Sequence, residues 1–491
     1  MPENNNIKSD AVKLVARGQA VVEARHPLEK EAEILSATAT VTVRPTEVFA
    51  GEARYAGKVG FDCYISCEDK VECVTVLAEF TDKISAPEIA AGMRPVISPE
   101  VVNCEAKIEN GAIKAIAVVD TSLYAVVGCE AECLTEPEEG IYVERKAIEY
   151  CTEVASPTDT AYVNDGISVK AAEVLCRTAR AVVNSAECAD GEVKISGTVY
   201  TFVTLRSEDG AVSSVRVVTP LVKSVAAVGV TPDDKAFARC FVTDCAATLI
   251  ADEESKLEVS ATVEIAVNAF ACKTTEAVVD VFCADSELET DVAQAEICTV
   301  EPLVTVADTV DGQIKLESDM PAADGVLCVA NTFCTLTDVN TENRRVNVEG
   351  LVGGDIIYYS AEKNAVYSVA FRLPFSMPLS INTDAASADV SATVTDVAIK
   401  IRRESVFDVK AEIAFTAALS TCESVSFVRA VKRGEAIARP DATVIVHIAR
   451  PGETLWQAAK ALGCSPERVT EQNETPAPYK GGERLVNFCG K

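Results

Sequence analysis

Apolar and polar residues alternate with a period of two through long stretches of this chain. Ala39, Val41 and Val43 alternate with Thr38, Thr40 and Thr42, and Val59, Phe61, Cys63 and Ile65 form a second set. The pattern is longest at Leu257, Val259, Ala261, Val263, Ile265 and Val267, set against Glu258, Ser260, Thr262, Glu264 and Asn268. Phe407, Val409, Ala411, Ile413 and Phe415 repeat it against Asp408, Lys410 and Glu412. Successive side chains of a strand point to opposite faces, so these segments predict antiparallel sheets with one face on a core and one in water. Asn110-Gly111 and Asp209-Gly210 predict two-residue hairpin turns. Gly57, inside a strand pattern, predicts a bulge or a close backbone crossing. Val12 to Val22 reads as a leading strand pair closing at His26-Pro27, and residues 1–10 read as a disordered polar tail.

The pattern returns. Ile34 to Ser66 and Val174 to Arg206 align without a gap at an offset of 140, with nine of 33 positions identical. The identities include Leu35/Leu175, Val43/Val183, Glu47/Glu187, Gly51-Glu52/Gly191-Glu192, Gly57/Gly197 and Val59/Val199. A third, eroded copy surrounds Val348 to Tyr358, with its Gly-Glu element broken at Arg344-Arg345. Connectors recur as Cys151-Thr-Glu leading to Asp165-Gly166 and Cys298-Thr-Val leading to Asp311-Gly312. The loop Gly92-Met93-Arg94-Pro95 is answered by Gly229 to Pro232 and by Ser376-Met377-Pro378. A unit of roughly 140 to 150 residues suits a β-rich domain and is too long for a tight solenoid. The expected organisation is residues 11–135, 136–285 and 286–425 as three antiparallel, sandwich-like β-rich repeats, then a linker over 426–441.

Charge and cysteine content narrow the functions. A formal charge of −30 disfavours nucleic acid and anionic lipid, whose phosphates call for clustered Lys and Arg. From Ala442 onward six basic residues meet five acidic ones, so the last part is close to neutral and the negative charge lies on the repeats. No run is apolar for the roughly 18 to 20 residues a membrane span needs, and the N-terminus lacks signal-peptide character, which together predict a cytoplasmic protein. Nineteen cysteines without Cys-x-x-Cys spacing, in a chain with two histidines, read as reduced, mostly buried thiols rather than metal ligands. No cofactor or metal is expected. Gly-x-Ser-x-Gly, the P-loop, His-Glu-x-x-His and the Rossmann fingerprint are all missing, so a non-enzymatic role is favoured. His447 reads as a strand residue at a domain surface.

Residues 442–488 carry a different signal. Val444 to Ala449 predicts a short strand, and Leu455, Ala458, Ala459 and Leu462 give an amphipathic helix. Thr454 and Gln457 have capping-box spacing, and Gly463 suits the helix C-terminus. A second helix begins at Ser465-Pro466, runs to Asn473, and is followed by a closing strand within Lys480 to Phe488. The result is β-α-α-β. Trp456, the chain's sole tryptophan, either packs in this small core or contacts a partner.

With Pro451-Gly452-Glu453-Thr454-Leu455-Trp456, the late Asn473 and the Gly481 to Leu485 strand, this segment resembles a LysM domain. It departs from that pattern at Gln472 and in the loop Thr475 to Tyr479. The resemblance implies a groove between the two strand-helix loops that holds N-acetylglucosamine polymers or a protein, drawn from Gly452, Glu453, Thr454, Leu455, Trp456, Asn473, Glu474, Thr475, Pro476 and Tyr479. The repeats resemble the SPOCS (DUF3794) modules of endospore-forming bacteria at Glu33-Ile-Leu, Gly51-Glu52-x4-Gly57-x-Val59, Gly92 to Pro95 and Pro99-Glu-Val-Val. SPOCS repeats ahead of a LysM domain are similar in order to spore-coat morphogenetic proteins of clostridia. That resemblance implies a cytosolic adaptor at the forespore surface whose LysM domain binds the spore coat morphogenetic ATPase; a peptidoglycan-binding envelope protein is the alternative.

Overall fold

The computed structural model describes residues 4–68, 70–250, 256–403, 405–437 and 443–488. The chain is mainly β, built from several antiparallel sheets. The first third carries β1 (Asn4–Pro27), β2 (Glu33–Phe49), β3 (Glu52–Cys67), β4 (Lys70–Ser85), β5 (Val96–Glu109) and β6 (Ala112–Leu134). Next come β7 (Ile141–Ala155), β8 (Thr158–Ser168), β9 (Glu173–Ala189), β10 (Glu192–Arg206), β11 (Val212–Ala226), β12 (Lys235–Ile250) and β13 (Lys256–Cys283). They are followed by β14 (Ser286–Val300), β15 (Val304–Lys315), β16 (Gly325–Glu342), β17 (Arg345–Ser360), β18 (Ala365–Asn382), β19 (Ser387–Arg403) and β20 (Val406–Ala436). The C-terminal elements are β21 (Val444–Ile448), α1 (Leu455–Leu462), α2 (Pro466–Gln472) and β22 (Arg484–Phe488).

Three sheets share one plan, with strand orders β2-β3-β4, β9-β10-β11 and β16-β17-β18. Each packs its central strand on a long strand of another sheet. Val59 and Phe61 of β3 meet Ile113, Ala115, Ala117 and Val119 of β6, while Val193, Ile195 and Val199 of β10 meet Ala261, Val263 and Ile265 of β13. Val346, Val348 and Val352 of β17 meet Val409, Ala411 and Ile413 of β20 in the same way. All of these side chains are buried, and removing apolar surface from water at about 25 cal/mol per Å² is what holds such sheets face to face.

β6, β13 and β20 are 23, 28 and 31 residues long because each serves more than one partner: two for β6 and three each for β13 and β20. The first part of β13 lies between β12 and β8, and its last part pairs with β7; β20 does the same with β19, β15 and β14. Pro157 and Pro302 explain the break between β7 and β8 and between β14 and β15, since proline has no N–H for a ladder. β1 has no proline at the corresponding place and crosses as one strand with a bulge at Val15, paired to β6 throughout. The three ends converge on one core of Ile7, Leu134, Ile148, Val278, Ile297 and Phe427, among others.

This convergence corrects several expectations. Residues 4–10 are not a disordered tail but the start of β1, and Val12 to Val22 is part of that one strand rather than a strand pair. Ile7 is buried in the shared core, and Ser9 accepts from the Cys298 N–H at 2.8 Å. Residues 426–436 are not linker but the end of β20: Phe427 and Val428 are buried, Arg429 donates to Asp291, and Lys432 pairs with Glu289. The basic run is neutralised by the acidic strand β14 beside it. Residues 438–441 of the expected linker, and residue 442, lie outside the described residues.

Turn chemistry also differs in part. Asn110 and Gly111 both take positive φ, as a two-residue hairpin turn requires. The loop at Asp209-Gly210 runs from Ser207 to Ala211, with Asp209 accepting from Ser207 Oγ and the Ala211 N–H, so it is longer than expected. In the β16–β17 hairpin, Asn343 and Arg344 hold φ of 52° and 63° without a glycine. Gly51 and Gly191 each bond back to a loop, through Ala86 and Ile89 in one and Ala227 and Val230 in the other. Gly229 therefore corresponds to Glu88 rather than to Gly92.

Among the described residues, the expectation of reduced thiols does not hold throughout. Cys298 of β14 and Cys422 of β20, directly opposed in the ladder, form a disulfide. Cys63 carries a free thiol buried beside Phe61 and Ile65, and burial pushes it up to about 12. No helix among the described residues is long and apolar enough to cross a membrane.

Candidate functional site

The C-terminal elements form a two-stranded sheet, Val444 opposite Phe488 and Ile448 opposite Arg484, with α1 and α2 between them in sequence. Thr454 caps α1 through a complete capping box with Gln457, at 3.2 and 3.0 Å, and Gly463 ends it at φ 60°. Ser465 caps α2 by accepting from the Arg468 N–H. Trp456, Ala458, Ala459 and Leu462 of α1, Val469 of α2 and Leu485 of β22 fill the small core.

Two loops meet above this core. The Gly452 N–H donates to the Tyr479 carbonyl at 2.8 Å, and the Tyr479 N–H donates to the Glu453 carbonyl at 3.0 Å. Gly452, at φ 78° in open space, makes the approach possible. Of the ten residues expected to form a groove, Gly452, Thr454, Glu474, Thr475 and Pro476 are exposed and Leu455 is half-buried. Glu453 and Tyr479 are buried beneath them. Burial opposes the charge on Glu453, but bonds from the Arg450 N–H at 2.6 Å and His447 Nε2 at 2.8 Å hold its carboxyl below the usual range. Burial and the nearby Glu453 charge raise the Tyr479 phenol. Asn473 is fully engaged: its amide donates to the Val469 and Val486 carbonyls, and its carbonyl accepts from the Val486 N–H. It ties α2 to β22 and is not available to a ligand.

Trp456 is committed to the rest of the chain. Its indole N–H donates to Asp280 of β13 at 2.8 Å, and its ring meets Phe282 edge-on at 4.9 Å. Lys460 Nζ reaches both Asp280 oxygens at 2.9 Å, and Tyr142 of β7 extends the ring stack behind Phe282. Sequence reasoning missed this seat. Its signal was Phe282 and Tyr142, two aromatics at strand ends of an aromatic-poor chain.

Two side-chain groups could hold a metal among the described residues: Asp62, Cys73 and Cys176, and Glu296 with Cys298 and Cys422. In the second group the disulfide takes both sulfurs. In the first, the hydrogen bond between Cys176 and Cys73, followed by burial, drives the Cys73 thiol strongly up, while Asp62 accepts from Thr75 at 2.6 Å. The Cys73 thiol there favours the protonated state. Comparison with family models, curated proteins and solved structures finds no match for this chain.

Proposed function

We propose that the chain is a non-enzymatic adaptor in which three β-rich units hold a LysM-like module, and that the module's exposed rim binds a protein. The copied hairpins at Ile34 to Ser66 and Val174 to Arg206 support reading the first two units as SPOCS-like repeats. Both are antiparallel, both turn at a positive-φ glycine, and both place the second shared glycine on the central strand. β16 and β17 form the corresponding hairpin of the third unit, with Gly350 on its central strand.

The observation that carries the binding proposal is the pairing of the two loops at Gly452, Glu453 and Tyr479 while Trp456 faces the other way, onto Asp280 and Phe282. The module is anchored by its back and offers Gly452, Thr454 and Glu474 to Pro476 outward. By resemblance, the partner is the spore coat morphogenetic ATPase and the place is the forespore surface during coat assembly. The same rim, with its backbone groups and the Thr454 hydroxyl, suits the acetamido and hydroxyl groups of an N-acetylglucosamine polymer, which keeps the envelope-binding reading as the second one.

Full-length protein offered separately to the coat ATPase and to chitin oligomers distinguishes them. The adaptor reading expects capture of the ATPase, weakened by Thr475→Arg, with no retention by the oligomers. Retention by the oligomers that Thr475→Arg abolishes, with no capture of the ATPase, overturns it.

A further inference from the structure

The three strand pairs that converge in the centre place matching residues at one ladder position. In β14 and β20 the position holds Cys298 opposite Cys422, in β7 and β13 it holds Cys151 opposite Cys272, and in β1 and β6 it holds Ser9 opposite Cys129. The surroundings match as well. The Cys298 N–H donates to Ser9 Oγ, and two residues on the Val300 N–H approaches Cys151 Sγ at 3.3 Å, so β14 runs past both of the other positions. Cys298 and Cys422 are already joined. Cys151 and Cys272 are not, but their sulfurs lie 3.4 Å apart.

We propose that Cys151 and Cys272 are a reversible disulfide-forming pair, a second cross-link of the same kind at the equivalent place. Directly opposed residues of an antiparallel ladder already bring their Cβ atoms close, and closing the bond asks the sulfurs to approach by roughly 1.4 Å, within reach of small χ1 changes. The two thiols have distinct parts. Cys272 is exposed and meets the oxidant, whereas Cys151 is buried against Phe237, Phe270 and Val300. Burial pushes the Cys151 thiol up to about 12, so Cys151 is not the thiol that starts the exchange; its closeness to Cys272 lets it complete it.

With a low-molecular-weight disulfide as oxidant, the Cys272 thiolate attacks one of its sulfurs and expels the first small thiol. Cys151 then gives up its proton and attacks the Cys272 sulfur, expelling the second. Two protein thiols become one disulfide and the reagent's disulfide becomes two thiols, so electrons and protons balance. Excess small thiol runs the exchange backward. The bond would fasten β7 to β13, the two strands that carry Tyr142, Asp280 and Phe282. Nothing in this rests on what the C-terminal module binds.

The test uses the full-length protein, incubated with oxidised glutathione, alkylated without reduction, digested and weighed. The expected product is a peptide pair linking Cys151 to Cys272, lighter by two hydrogens and lost on treatment with dithiothreitol. Cys151→Ser should then leave glutathione attached to Cys272. Alkylation of both Cys151 and Cys272 after oxidation overturns the proposal, as does glutathione persisting on Cys272 of the unaltered protein. Because the unaltered protein decides the matter, a Cys151→Ser chain that fails to fold does not weaken the test.

Discussion

Trp456 of α1 donates its indole N–H to the carboxylate of Asp280 on β13, 176 residues away in sequence. That bond, with the Lys460–Asp280 pair and the edge-on contact to Phe282, makes the C-terminal module part of the body of the protein. A charge-assisted bond from a buried donor contributes about 1.5–3 kcal/mol, and the ring contact about 0.5–1.5 kcal/mol more.

Because Trp456 is the sole tryptophan, its emission reports docking directly. Phe282→Ala removes the ring beneath it without touching the module's own fold. The expected outcome is a red-shifted emission maximum, with the far-ultraviolet circular dichroism preserved.

The seat also responds to pH. Burial works against the Asp280 charge, but the bonds from Lys460 and Trp456 prevail and hold its carboxyl below the ordinary aspartate value. A depressed folded value means that the stabilisation is present above about pH 4 and is lost as pH falls through the lowered value. Glu144 behaves oppositely: burial, followed by the Asp280 charge, raises it, so it takes up a proton first and relieves repulsion toward Asp280. The tryptophan emission should therefore hold steady or shift slightly blue as pH falls toward 4, then shift red below it. Asp280→Asn should remove the step below pH 4.

Gly197 tests the packing of the central strands. A Cβ there would lie 2.6 Å from the Val182 carbonyl oxygen and 3.2 Å from Leu221, and Gly57 and Gly350 face carbonyl oxygens at 2.9 and 2.5 Å. A neighbouring backbone cannot swing away as a side chain can. Gly197→Val is expected to cost about 2–3 kcal/mol in urea denaturation. Gly191→Asn, at a turn in open space with φ 75°, should cost less than about 1 kcal/mol.

Much of this architecture was legible in the residues. Period-two alternation marks β13 and β20 wherever one face meets water, and the caps Thr454, Gly463, Ser465 and Pro466 mark both helices. Gly57 and Gly197 announced a close backbone approach, and the structure has one at each. The failures share a cause. Residues 4–10 and 426–436 are polar enough to read as tail and linker, yet they are strands because partners distant in sequence complete their ladders and ion pairs. Asn343-Arg344 turns without glycine because asparagine tolerates positive φ. At the candidate site, the sequence grouped Trp456 and Asn473 with the rim, but both point into structure: one into β13, the other onto β22. Long-range partners of this kind leave no periodic trace.

The central claim is that binding belongs to the exposed rim and anchoring to Trp456. The most direct measurement is the affinity of the full-length protein for the coat ATPase with Thr475→Arg and Phe282→Ala introduced separately. The account predicts that Thr475→Arg weakens binding at least about tenfold, about 1.4 kcal/mol, while leaving the tryptophan emission unchanged. Phe282→Ala should shift the emission and leave the module's intrinsic affinity within about threefold. Binding that ignores Thr475→Arg and collapses with Phe282→Ala would contradict it.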